Sequence, residues 1–146
     1  MKARSQQNDM MERKKVNVAA YLLLEKDGKF LFLKRQNTGY RDGDYGMPSG
    51  HLEDNESLDE CIIRETKEEI GIDVTEVEMM VVVHTHDDYL DFMFKATTWE
   101  GEISICEPDK CSELKWFALD ELPENVTPEI RAGIETYLKG EHYVRI

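Results

Sequence analysis

The chain has 146 residues, enough for one domain with a real core, and 40% of them are hydrophobic, as in a soluble globular protein. Thirty-one acids against 18 bases give a net charge of −13, which argues against duplex nucleic acid or an anionic membrane as the main partner. A phosphorylated small molecule stays open, because a bound cation and a few local bases override the global field.

Residues 1–15 are polar and charged, and they read as a loose tail or short peripheral helix ahead of one domain at 16–146. They lack the apolar centre of a signal peptide, and no apolar run approaches the ~20 residues of a membrane span. Cys61, Cys106 and Cys111 form no CxxC pair and leave one odd, so we expect reduced thiols in a cytoplasmic protein.

Val16 to Leu24 is β-rich and apolar and predicts a strand with a buried side. Asp27-Gly28 is a hairpin turn, and Phe30 to Leu33 returns as a second strand ending at Lys34 and Arg35. Gln36 to Gly46 is a long turn-forming loop with three glycines, a length that in a compact domain is often functional. Its Tyr40 and Tyr45 can stack on a base, Arg41 can meet a phosphate, and Asn37 and Asp42 can read base or sugar edges. A surface loop closed by Asx turns fits the same residues equally well.

Ser57 to Ile70 predicts a helix. Ser57 and Glu60 form a capping box, no glycine or proline interrupts, and Gly71 fits the residue past the end. On the helical wheel Ile62, Ile63, Thr66 and Ile70 share an apolar arc, and Glu65, Glu68 and Glu69 share the neighbouring one. Carboxylates at such spacings repel by a few tenths of a kcal/mol per pair, and more at the edge of a core. A divalent cation turns that cost into a binding site, and Mg²⁺, which takes oxygen ligands and keeps waters for substrate phosphates, suits it. Taken alone, the run Arg64 to Glu69 also reads as a solvated helix face.

Val74 to His84 is a further strand region, and Tyr89 to Trp99 alternates, with Leu90, Phe92 and Phe94 opposite Asp91, Met93 and Lys95, as in a strand with one buried face. His84 and His86 share a strand face but lack the third ligand of a zinc site. Ile103 to Ile105 reads as a short strand, Cys106 to Ser112 as an acidic loop, and Glu113 to Phe117 as the last strand. Thr127 caps a final helix with Pro128 at its first position, ending near Lys139 before Gly140; Glu141 to Ile146 is a short tail. The order predicts an α/β fold with a mixed sheet between helices.

Gly50, Glu56, Arg64, Glu65, Glu68, Glu69 and Gly71 stand at the spacing G-x5-E-x7-R-E-x-x-E-E-x-G. That pattern resembles the Nudix box of the Nudix hydrolases, with every fixed position filled. Thr66 stands where the family usually has an aliphatic residue. The resemblance covers roughly residues 16–139, including the W-F-x-L-D-E-L-P run from Trp116 to Pro123. It implies a Nudix α/β/α sandwich and hydrolysis of a nucleoside diphosphate linked to another moiety, with Mg²⁺ as cofactor and Mn²⁺ able to replace it. The metal ligands it implies are the Gly50 carbonyl, Glu65, Glu68 and Glu69. Arg64 would orient Glu65, Glu56 would support the loop, Glu65 is the favoured base, and Arg35 matches a position that often holds substrate phosphate.

Nudix enzymes often recruit a further acid from a distant loop. Glu107, stiffened by Pro108, is the first choice, then Asp109 and Glu113; an acidic surface loop is the competing reading. The expected substrate is a nucleoside triphosphate, modified forms included, gripped by Arg35, Tyr40, Arg41 and Asp42. ADP-ribose or another nucleotide sugar is the runner-up, a catalytically silent nucleotide-binding module is the third reading, and a homodimer stays open. From the box follows a first prediction. Glu68→Gln and Glu69→Gln each remove a negative oxygen while keeping shape, so each lowers turnover at least about a hundredfold with the fold retained. Steady-state kinetics on the best substrate check this, and near wild-type rates for both variants refute the ligand assignment.

Overall fold

The computed structural model describes residues 12–146. Most of the expected tail lies outside the described residues; residues 12–16 form no helix or strand, and Lys14 pairs with Asp87.

A hairpin opens the fold. β1 (Asn17–Lys26) and β2 (Lys29–Arg35) meet at the Asp27-Gly28 turn, where both residues take positive φ. They pair only at that end, through Glu25 with Phe30 and Lys26 with Lys29. Beyond it β1 runs parallel to β6 (Tyr89–Ala96) and antiparallel to β4 (Ser49–His51). β2 instead runs antiparallel to β3 (Tyr45–Gly46) and β7 (Cys111–Ala118). β5 (Glu78–Thr85) lies antiparallel to β6, and β8 (Tyr143–Arg145) lies parallel to β5. The sheet is therefore mixed, as expected.

Helices α1 (Leu58–Ile70) and α2 (Pro128–Leu138) cover opposite faces. The strand period of two divides the core accordingly. Leu22 and Leu24 of β1 pack with Ile62 and Ile70 of α1, whereas Leu23 packs with Ile130 and Ile134 of α2. On β6, Phe94 joins the α1 side and Met93 the α2 side. Gly133 lets α2 lie close against the sheet, because a Cβ there would strike the Met93 sulfur. Among the described residues no helix is long and apolar enough to cross a membrane.

Several expectations need correction. Residues 103–105 form no strand, because Ser104 N–H donates to the Ile70 carbonyl and Cys106 N–H to Glu69, capping the open end of α1. The C-terminal tail instead supplies β8. β6 is not buried on one face alone. It is an interior strand with helices on both sides, so Asp91 and Met93 are buried as well as Phe94. Thr127 precedes Pro128 as expected but makes no side-chain cap bond, and its hydroxyl is buried without a partner.

Candidate active site

The opening left where β1 and β2 part is a cavity of about 830 Å³. Ala19 and Tyr21 of β1 wall one side, and Leu33 and Arg35 of β2 the other. α1 brings Glu65, Glu68 and Glu69 to it, and α2 brings Glu129.

The helix that presents the three glutamates is capped at both ends. The Ser57 hydroxyl accepts from Glu60 N–H, the Glu60 carboxylate accepts from Ser57 N–H, and Gly71 takes the left-handed conformation. Arg64 then gathers carboxylates. Its Nε and Nη2 hold Glu56 at 3.0 and 2.8 Å in a fork, and its Nη1 reaches Glu65 at 2.7 Å and Glu68 at 3.4 Å. The Arg64 hydrogen bonds hold the Glu56 carboxyl well below the usual range, at about 2. Thr66 is buried with its hydroxyl unpartnered, so its methyl packs in the apolar arc at the cost of an unsatisfied donor.

Glu69 has no basic partner. It accepts only weak bonds from Ser49 N–H, at 3.2 and 3.4 Å, and it lies against Glu65. Enclosure by the protein, and then the Glu65 charge, raise its carboxyl well above the usual range. The donor set here is all oxygen: Glu65, Glu68, Glu69 and Glu107, with the Gly50 backbone beside them. A Cβ at Gly50 would fall on the Glu65 carboxylate, so only glycine leaves room for that side chain. Among the described residues no three side chains make a ready-made metal cage. Such an open, oxygen-only arrangement fits Mg²⁺, which takes one or two carboxylates together with waters and substrate phosphates, better than a metal needing a full protein cage. Cys61 is buried against the Gly50 carbonyl, and burial pushes its thiol up to about 12, which suits packing rather than nucleophilic chemistry.

The loop at 36–44 is bound to itself and to two neighbours. Asp42 accepts from the Thr38 hydroxyl at 2.6 Å and from the Thr38 and Gly39 amides at 3.1 Å. Arg35 donates to the Tyr40 carbonyl at 2.8 Å and stacks on the Tyr40 ring, and Tyr40 OH donates to Glu129 at 2.9 Å. Gln36 and Asn37 donate to the carbonyls of Pro108 and Asp109, which steadies the loop carrying Glu107.

Arg35, Tyr40 and Asn37 thus line the cavity, but Arg41 and Asp42 do not. Arg41 faces Asp44, and the Asp42 carboxylate is used up holding its own loop. It accepts from the Thr38 and Gly39 amides, four and three residues before it, rather than from an amide two residues on as in an Asx turn. Tyr45 cannot stack on a ligand base, being buried edge-on to Phe117 with its hydroxyl on Glu113. Of the three acids proposed from the 106–113 region, Glu107 alone lines the cavity.

Sequence reasoning overlooked the α2 side. Asp91 is 2% exposed and lines the cavity. Thr85 donates to its Oδ2 at 2.6 Å, while Oδ1 has no partner. Glu129, 6% exposed, and Tyr21 lie within electrostatic reach of it. Burial pushes the Asp91 carboxyl up to about 6, with Glu129 adding to the rise. Burial, then Asp91 and Glu129, push the Tyr21 phenol far up, so it stays protonated. A lone acid inside the apolar run Tyr89 to Phe94 was the available signal.

Comparison with known proteins agrees with this geometry. The family model described as NUDIX domain matches residues 13–137. An 8-oxo-dGTP diphosphatase of Proteus vulgaris is 35% identical over 99 residues, which cover 65% of this chain and 88% of that protein. An ADP-ribose pyrophosphatase of Methanocaldococcus jannaschii is 30% identical over 113 residues, 73% of this chain but 64% of its own length. Among solved structures, a MutT NUDIX hydrolase from Burkholderia pseudomallei superposes with a TM-score of 0.77 at 30% identity, covering 83% of this chain and 97% of its own.

Two predictions follow from the geometry. Gly50→Ala displaces the Glu65 carboxylate and lowers turnover roughly a hundredfold, while thermal melting still reports a folded protein; unchanged turnover would show that Glu65 has no role fixed by that contact. For Asp91, the native state holds the proton up to about pH 6 and the unfolded chain only to about the ordinary 3.8. The native state therefore binds more protons in that window, and stability falls as pH rises through it. Between pH 4 and 7 wild type loses on the order of 2 kcal/mol relative to Asp91→Asn, read by urea unfolding at both pH values.

Proposed function

The chain belongs to the NUDIX hydrolases, which makes it a pyrophosphohydrolase, and we propose that its substrates are nucleoside triphosphates, oxidised purine forms included, cleaved to monophosphate and pyrophosphate with Mg²⁺ as cofactor. The observation that carries this reading is the single cavity that joins the box carboxylates to a polar wall from β1, β6 and α2. One end suits phosphates and the other a nucleoside, within one compact chain.

Bound at Glu65, Glu68, Glu69 and the Gly50 carbonyl, Mg²⁺ would neutralise phosphate charge in the transition state. The remaining work falls to the chain itself. Arg64 holds Glu65 at 2.7 Å, fixing the carboxylate orientation from which it can take a proton from the attacking water. Glu56 keeps Arg64 in place, so the pair acts through position. Glu107 stands on a loop braced by Gln36 and Asn37 and is the further acid at this end of the cavity. Arg35 is stacked and bonded within its own strand and loop, so it shapes the loop while offering charge to a phosphate.

The ADP-ribose reading is supported by the archaeal relative, although this chain spans 64% of that protein. The triphosphate reading is favoured because the chain spans 88% of the 8-oxo-dGTP diphosphatase. A panel of canonical and oxidised nucleoside triphosphates, ADP-ribose and nucleotide sugars, assayed for pyrophosphate or phosphate release with and without Mg²⁺, tests it. We expect a triphosphate to have the highest kcat/KM, with turnover abolished by chelator. Faster Mg²⁺-dependent turnover of ADP-ribose than of every triphosphate would overturn the substrate assignment, and no metal-dependent release from any substrate would indicate a silent binding module.

A further inference from the structure

The acids on the α2 side of the cavity are not among the residues assigned above to metal or phosphate. Asp91, Glu129 and Tyr21 sit on β6, α2 and β1, on the face of the sheet opposite α1. Neither carboxylate has a basic side chain as hydrogen-bond partner. Glu129 accepts from the Tyr40 hydroxyl, Asp91 accepts from the Thr85 hydroxyl, and Asp91 Oδ1 is left empty. An enclosed acceptor without a donor is rare, because it forfeits its water bonds and gains nothing in return. Here it occurs in the wall of a ligand-sized cavity, beside a second buried carboxylate and a phenol with no bonded partner of its own.

We propose that Asp91 is a specificity-determining residue: with Glu129 and Tyr21 it accepts hydrogen bonds from the donor edge of a lactam-type purine, the adjacent ring N–H and exocyclic amine of a guanine-like base. This rests on the nucleotide reading above and deepens it. The chemistry selects among bases. A guanine-type edge offers two neighbouring N–H donors to a carboxylate, as a charge-assisted pair. A hypoxanthine base keeps the ring N–H but lacks the amine. Adenine turns a ring nitrogen lone pair toward the same place, so an acceptor would face an acceptor. A site built around such bonds discriminates strongly against analogues that cannot make them, because its buried polar groups are left unpaired. Tyr40 adds to the arrangement by tying Glu129 to the 36–44 loop, which fixes the second carboxylate from above.

The experiment has two arms. In the first, calorimetry measures binding of dGMP, dIMP and dAMP to wild type, Asp91→Asn and Glu129→Gln, with circular dichroism and thermal melting to establish that each variant is folded. Wild type should bind in the order guanine, hypoxanthine, adenine. Asp91→Asn should shrink the guanine-to-adenine ratio at least about tenfold, and Glu129→Gln should shift it in the same direction. In the second arm, kcat/KM for dGTP, dITP and dATP should follow the same order and the same collapse. A folded Asp91→Asn with an unchanged ratio overturns the proposal, as does a wild type that prefers adenine. If no triphosphate is turned over, the substrate reading fails, while the monophosphate arm still decides the role of Asp91. If Asp91→Asn does not fold, Glu129→Gln decides it, and an unchanged ratio there overturns the proposal.

Discussion

A strand has two edges, and β1 divides one of them between two partners while the other keeps a single partner. Near the hairpin it pairs with β2; farther along, the same edge passes to β4, while its other edge stays with β6. β2 meanwhile finds β3 and β7. The exchange satisfies the backbone groups of both strands and yet opens the sheet between them. The three glutamates of α1, Glu107, Asp91 and Glu129 all border that opening. Had β1 and β2 stayed paired along their length, the glutamates of α1 and the acids near α2 would have been sealed on opposite faces.

Charge crowding is the second constraint. Arg64 is within ion-pair distance of Glu53, Glu56, Glu65 and Glu68. One guanidinium offers five donors in a plane, so it can hold several carboxylates at fixed angles where a lysine could not. Glu69 is the member it leaves out. The result is a graded set of acids: some tightly neutralised, one strained by its neighbours, and one on a separate loop. An oxygen-seeking cation fits such a set because its charge falls where the protein's own compensation stops.

The box was legible in the sequence because its residues are local. Caps, periodicity and the spacing of Gly50, Glu56, Arg64 and the three glutamates are all carried within one short stretch, and the helix forms where those signals place it. The α/β class was also legible, since strand and helix periods differ clearly. What escaped was set by pairing between distant segments. Residues 103–105 carry a strand-like pattern, but the free carbonyls of α1 claim their amides. Asp91 looked solvent-facing because alternation assumes one wet face, and only the sheet order reveals that β6 has none. Asp42 and Tyr45 have the side chains of ligand-binding residues, yet local bonds and core packing engage both.

The 36–44 loop carries a consequence of its own. Asp42 ties it internally, Arg35 braces its tip, and Tyr40 anchors it to α2. Ordering a free loop on binding would cost about 1–2 kcal/mol per residue in backbone entropy. Here that ordering has already occurred during folding, so an incoming molecule meets a preformed wall. Association with this side of the cavity should therefore carry little conformational penalty, and selectivity should come from the fit of polar groups rather than from the loop's capacity to adapt.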